Sequence, residues 1–162
     1  MNDNARRFLD IPIRTSSKAG TLPIRFTITL RIYSGPIPPN QVSAILGVDA
    51  TSAVGIEPSS EPLGAKTFRL GKLNGWFLAS EEHVENRNPR DHIDWFVARV
   101  GSIQPKLAEF LKLPDVRAEI GITIWKKDGG DLLLNPSDIS VLSALGLRVW
   151  FSFANYGDDE EG

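Results

Sequence analysis

The sequence predicts a two-layer α+β sandwich, in which helices cover one face of a single sheet. Alternating apolar and polar residues predict strands at residues 24–33, 116–125 and 147–153. Two strings of the form Asn-Pro-X-Asp, at residues 88–91 and 135–138, are typical of helix starts: Asn is a good N-cap, Pro suits the first helical position and Asp can complete a capping box. Because the strands alternate, one sheet face should lie under helices and the other should have mixed character.

The first half of the chain supplies four of the expected elements. After the strand at residues 24–33, Pro39 opens a short helix that should end with Gly47 as its C-cap. Residues 48–64 contain prolines, serines and glycines and are predicted to be mostly loop. Two short strands, at residues 66–70 and 75–80, are expected to form a hairpin.

The second half is predicted to alternate helices and strands. Pro105 falls inside the apolar stripe of the helix that starts at Asn88, so we expect it to break or kink that helix. The strand at residues 116–125 follows, and the helix capped by Asn135 leads into a last strand. Four of its residues are expected to point inward: Leu147, Val149, Phe151 and Phe153. The order of elements starts like a ferredoxin-like (split βαβ) fold and adds a C-terminal helix and strand.

Length and composition are those of one globular domain. The 162 residues are 41% hydrophobic and include no cysteine, which excludes disulfides and thiolate chemistry. We expect a poorly ordered leader at residues 1–22, a single domain at 23–157 and an acidic disordered tail at 158–162. No apolar stretch is long enough to span a membrane and no signal peptide is apparent, so the sequence favours a cytoplasmic protein.

Several segments resemble a bacterial family known as domain of unknown function number 4279. They are Pro-Pro-Asn-Gln-Val at residues 38–42, Gly-Trp-Phe-Leu at 75–78, and Ile-Ser-Val-Leu at 139–142 followed by Leu145-Gly146. The resemblance covers about residues 24–156. It implies a compact bacterial α+β domain and brings no catalytic residues, since the matching positions are core and capping residues.

Catalytic signatures are absent from the sequence. It contains no GxSxG elbow, no phosphate-binding loop and no GxGxxG string. The two histidines, His83 and His92, lie in a stretch rich in carboxylates, which is the composition that a metal or acid–base site requires. A metal-dependent or hydrolytic enzyme using this segment is therefore one hypothesis, against a solvated loop and helix start. No metal or cofactor is otherwise indicated.

The most suggestive surface is the sheet face opposite the helices. Arginine and aromatic residues dominate the outward positions of the three clearest strands, where Glu119 is the one carboxylate. The candidate binding residues are Arg25, Arg31, Tyr33, Arg117, Trp125, Arg148 and Trp150. Such residues anchor protein interfaces, and they also stack on single-stranded nucleic acid. They can equally pair across strands, with Arg117 or Arg148 meeting Glu119.

From these alternatives the sequence favours a non-enzymatic domain that docks a protein partner through its exposed sheet face. An immunity or accessory factor is an example of this class. Binding of single-stranded nucleic acid and the metal-dependent or hydrolytic enzyme remain the alternatives. The near-neutral charge of −2 gives no general attraction to nucleic acid or membranes.

Overall fold

The computed structural model of the protein describes residues 25–55, 73–126 and 134–155. These residues form an α+β domain with one mixed sheet of five strands in the order β2-β3-β1-β4-β5. The strands are β1 (Arg25–Tyr33), β2 (Ser52–Val54), β3 (Gly75–Ala79), β4 (Arg117–Lys126) and β5 (Arg148–Asn155). The helices are α1 (Pro39–Leu46), α2 (Pro89–Phe110) and α3 (Pro136–Ala144), and a short 3₁₀ helix follows β3 at Ser80–Glu82.

Strand directions follow from the pairing. β1 lies at the centre and is antiparallel to both β3 and β4, while β3 is antiparallel to β2. β1 and β2 therefore run the same way with β3 between them, which is compatible with the predicted split βαβ arrangement; the ferredoxin-like label stays a prediction. β5 pairs with β4 in parallel and extends the sheet at one edge.

The core lies between the helices and one face of the sheet. Phe26, Ile28, Leu30 and Ile32 of β1 are each at most 1% exposed, as the alternation predicts. Helix α2 packs Phe96, Val100 and other apolar residues at helical spacing against them. Trp76 and Leu78 of β3 and the isoleucines of β4 complete this cluster.

The two Asn-Pro-X-Asp strings both begin helices, but they do so differently. The Asn88 side chain accepts a hydrogen bond of 3.1 Å from the Arg90 N–H, and Asp91 is held by the side chain of Asn86 instead of closing a box. At the second string, the Asp138 carboxylate accepts a hydrogen bond of 2.8 Å from the Asn135 N–H, as a capping box requires.

The same region joins two helices through one arginine. Arg90 on α2 forms ion pairs with Asp94 of the same helix and with Asp138 at the start of α3. Its hydrogen bond to Asp94, together with the attraction of the Asp138 charge, raises the pKa of the Arg90 guanidinium above its ordinary value. Arg90 therefore stays charged and links the two helix starts.

Three predictions about individual elements agree with the structure only in part. Helix α2 runs through Pro105 without the predicted break, because buried residues on both sides of Pro105, including Ile103 and Leu107, hold it against the sheet. The segment predicted to be mostly loop contains one short strand, β2, whose three residues are exposed. Phe151 and Phe153 pair with the buried Ile122 and Ile124 and so lie on the predicted inward side, but they are 44% and 63% exposed because β5 is an edge strand.

Other predictions lie outside the described residues. These are the leader at residues 1–22, the strand at 66–70 with its hairpin, and the acidic tail at 158–162. Gly47 does end α1 in the left-handed conformation, with φ of 73°, as its C-cap role predicts. Among the helices of the described ranges, none has the length and apolar character to cross a membrane.

Candidate binding site on the open sheet face

The sheet face on which none of the described helices packs, here called the open sheet face, contains a groove of about 610 Å³. The groove runs over β1 and β3 and reaches from β2 on one side to β4 on the other. Its lining combines threonines, aromatic rings and two charged groups. The lining residues are Thr27, Thr29, Arg31, Tyr33, Ser52, Val54, Leu73, Gly75, Phe77, Ala79, Glu81, Thr123 and Trp125.

The floor of the groove is formed by two threonines of β1. Thr27 and Thr29 lie on the open sheet face, yet they are only 6% and 9% exposed. Among the residues that the structure describes, the hydroxyl oxygen of Thr27 is buried and has no hydrogen-bond partner. A buried hydroxyl without a partner is unfavourable by roughly 1–3 kcal/mol, so Thr27 makes the floor less stable than an apolar residue of the same shape would.

One end of the groove is closed by a stacked pair. The guanidinium carbon of Arg25 lies 4.8 Å from the centre of the Trp125 ring, and Arg25 directly faces Trp125 across the β1–β4 pairing. Arg25 also forms an ion pair with Glu81, which follows β3. At the other end, the rings of Tyr33 and Phe77 meet edge to face at 6.1 Å.

A second stacked pair crosses the sheet from β1 to β5. The guanidinium carbon of Arg31 lies 4.3 Å from the centre of the Trp150 ring. The indole reaches across β4 at Gly121, where a Cβ atom would lie 2.8 Å from Trp150 Cζ2 and 3.1 Å from Arg31 Nε. Only glycine leaves room for this arrangement, so Gly121 holds Trp150 and Arg31 in place by having no side chain.

Glu119 is bound by residues of β5 and not by the arginine that faces it. Arg31 is directly opposite Glu119 in the β1–β4 register. The carboxylate instead accepts a hydrogen bond of 3.2 Å from Trp150 Nε1 and one of 3.3 Å from Arg148 Nη2. Within the described residues Arg31 therefore stacks on an indole but makes no ion pair or hydrogen bond of its own.

The seven residues singled out from the sequence divide into three groups. Arg31, Tyr33 and Trp125 line the groove. Three others contact neighbours on the open sheet face: Arg25 at Trp125, and Arg148 and Trp150 at Glu119. Arg117 faces Tyr33 across the β1–β4 pairing, is exposed, and lies outside the groove lining.

Sequence reasoning missed the groove floor and one wall. The alternation of side chains along β1 places Thr27 and Thr29 on the outward face, but it does not reveal that neighbouring side chains bury them. Phe77 is outward on β3 by the same alternation, opposite Arg31, and that position was the signal that could have found it. The cross-strand pairing of Arg148 with Glu119, one of the alternatives, is present.

The two histidines serve different contacts and do not converge. His83 stacks on Trp95 with ring centres 4.6 Å apart. His92 is buried: its Nε2 lies 2.8 Å from the carbonyl oxygen of Asn86, which can only accept, so Nε2 carries the proton. Its Nδ1 then accepts from the Ser80 hydroxyl at 2.7 Å.

Ser80 completes this buried connection. Its side-chain oxygen also accepts a hydrogen bond of 3.0 Å from the Ile28 N–H of β1, and Ser80 has no exposed surface. The serine and histidine resemble a nucleophile and its base, but a serine with no exposed surface is not accessible to a substrate. We interpret the contact as a link between α2 and the sheet. Within the described residues, no three His, Asp or Glu side chains gather as a metal site would require.

Comparison with known proteins places the chain in a family. No curated protein and no solved structure matches it significantly. The family match covers the central strand β1, all of the elements described above and the groove between them. The chain belongs to the family described as Domain of unknown function (DUF4279), whose family model matches residues 24–156.

Proposed function

We propose that this protein is a non-enzymatic cytoplasmic binding domain that holds a segment of a partner protein in the groove of its open sheet face. The observation that carries the proposal is the groove itself, which lies on the sheet face that α1, α2 and α3 leave uncovered. Its volume of about 610 Å³ lies within the usual range of ligand sites, about 300–1,000 Å³. A short run of side chains fits in such a volume.

The lining has the composition of a protein-binding surface. Tyr33, Phe77 and Trp125 provide apolar area with few rotatable bonds, and Arg31 provides hydrogen-bond donors. Aromatic residues and arginine are enriched at the centres of protein interfaces for these reasons. Exposed Val54 on the edge strand β2 extends the apolar lining to the rim.

The charges favour a protein segment over single-stranded nucleic acid. Arg25 and Arg148 are already neutralised by Glu81 and Glu119. A strand of phosphates needs several free cations along its path, and it also needs free aromatic faces for its bases. Counting partners among the described residues, two of the four predicted arginines of this face lack a carboxylate, and Arg25 and Arg31 already lie over the rings of Trp125 and Trp150.

Two matched variants test the proposal. Ser52→Tyr adds a ring on the edge strand that lines the groove, and Ser152→Tyr adds the same ring on the opposite edge strand, outside the groove. Each tagged protein is used to capture partners from nuclease-treated lysate of its own host. We expect a protein that is retained by the wild type and by Ser152→Tyr and is lost with Ser52→Tyr.

Ala79→Tyr, which fills the groove nearer its middle, serves as a second blocking variant and should behave as Ser52→Tyr does. Circular dichroism of each variant controls for folding. A partner that binds both blocking variants as well as the wild type, a wild type that captures no protein, or material that disappears with nuclease would each overturn the proposal.

A further inference from the structure

Arg31 is the charged group of the groove that remains available to a ligand. It lies over the Trp150 ring and, within the described residues, makes no ion pair or hydrogen bond. Glu81, the other charged residue among the described lining, is neutralised by Arg25. The uncompensated charge of the described lining is therefore a positive one, at Arg31.

The structure keeps Arg31 available in two ways. The carboxylate that faces it, Glu119, is held by Trp150 and Arg148. The contact with Trp150, which is possible only beside Gly121, uses none of the Arg31 N–H groups as hydrogen-bond donors. These N–H groups are therefore available to a planar acceptor with two oxygens.

We infer that the groove recognises a peptide segment of the partner through an aspartate or glutamate side chain, whose carboxylate binds Arg31. This inference rests on the proposed function and names the chemistry of the partner.

A random twelve-residue peptide library, displayed with its C-terminus fused to the carrier, is the first probe. Full-length protein is used for selection, and peptides lost with Ser52→Tyr but kept with Ser152→Tyr are taken as groove ligands. We expect these peptides to share an acidic residue at one position. The fusion removes the free C-terminal carboxylate, so an enriched acid is a side chain.

Affinities of a synthetic, C-terminally amidated copy of the strongest groove ligand then test the contact. Arg31→Gln should weaken binding by roughly tenfold to a hundredfold, the usual effect of losing a charge-assisted hydrogen bond. Arg31→Lys keeps the positive charge but lacks the planar guanidinium with its paired N–H donors, and it should weaken peptide binding less than Arg31→Gln does. Thr27→Val should leave peptide binding unchanged, because the Thr27 hydroxyl has no surface that a ligand could reach.

Arg117→Gln is the matched control, because Arg117 is also an outward arginine of this face, has no carboxylate partner in the described ranges, and lies outside the groove lining. It should leave the affinity unchanged. Changing the acidic residue of the peptide to its amide should weaken binding to the wild type and have little further effect on Arg31→Gln.

The outcomes separate this inference from the function on which it rests. Groove ligands without a shared acid, or with affinities unaffected by Arg31→Gln, overturn the inference and leave the groove as a binding site. Loss of binding when only the C-terminus is amidated overturns the side-chain assignment. Failure to select any peptide that distinguishes Ser52→Tyr from Ser152→Tyr counts against the function and the inference together.

Discussion

The two faces of β1 bury their residues to a similar degree but differ in the groups that they enclose. On the helix side, Phe26, Ile28, Leu30 and Ile32 are enclosed by apolar neighbours. On the open sheet face, Thr27 and Thr29 are nearly as buried, and within the described residues the Thr27 hydroxyl has no partner. The helix side of β1 therefore encloses only apolar groups. The open sheet face encloses an unpaired hydroxyl and also presents the Arg31 guanidinium to the groove.

Paired phenylalanine substitutions test this difference most strongly. Phe96→Ala removes a fully buried ring from α2 and should lower the free energy of unfolding by about 3–5 kcal/mol. Phe77→Ala removes a half-buried ring from the groove wall and should lower it by only about 1–2 kcal/mol. Urea denaturation measures both, and equal losses would show that the groove wall is as much a part of the core as α2.

Removing a satisfied buried hydroxyl should have the next largest effect. Ser80→Ala leaves both the Ile28 N–H and His92 Nδ1 without their partner, so we expect a loss of about 2–4 kcal/mol. Ser43→Ala removes one hydrogen bond, to Trp76 Nε1, and should lose about 1 kcal/mol. A Ser80→Ala protein as stable as the wild type would mean that the serine contributes nothing to the connection between α2 and the sheet.

Threonine substitutions should move stability in opposite directions. Thr27→Val removes the unpartnered hydroxyl with little change of shape and should raise the free energy of unfolding by about 1 kcal/mol. Thr51→Val breaks two hydrogen bonds, with the Phe77 carbonyl and the Ala79 N–H, and should lower it by about 1–2 kcal/mol. Thermal denaturation compares the two; a destabilised Thr27→Val would show that the hydroxyl is satisfied within the protein.

Much of the fold could be predicted because its signals are local. Alternation identifies β1, β4 and β5, and the two Asn-Pro-X-Asp strings identify the starts of α2 and α3. β2 escaped prediction because three exposed residues carry no periodicity, and their strand character depends on pairing with β3. A helix break was predicted at Pro105 but is absent from α2, because tertiary packing on both sides of Pro105 outweighs the local destabilisation of about 3 kcal/mol that a proline causes inside a helix.

The candidate site could be predicted only in part, since parity gives the face of a residue but not its neighbours. Parity correctly places Arg31, Tyr33 and Trp125 on the open sheet face. It does not show which arginine binds Glu119, because that depends on β5 lying beside β4 in one register. The exposure of Phe151 and Phe153 has the same explanation. Alternation along the strand assigns their side chains to the helix side, but the strand order puts β5 at an edge of the sheet, where they are less covered.

The central place of β1 has a consequence for how the chain folds. In sequence, β1 is the first strand of the described sheet, and it must wait for partners at residues 75–79 and 117–126, so the edge that pairs with β4 stays open until most of the chain has been synthesised. Contacts this distant in sequence slow folding, because long loops must close before any pairing is gained. During that interval the alternating apolar residues of β1 are exposed to other chains, and aggregation can compete with folding at this strand.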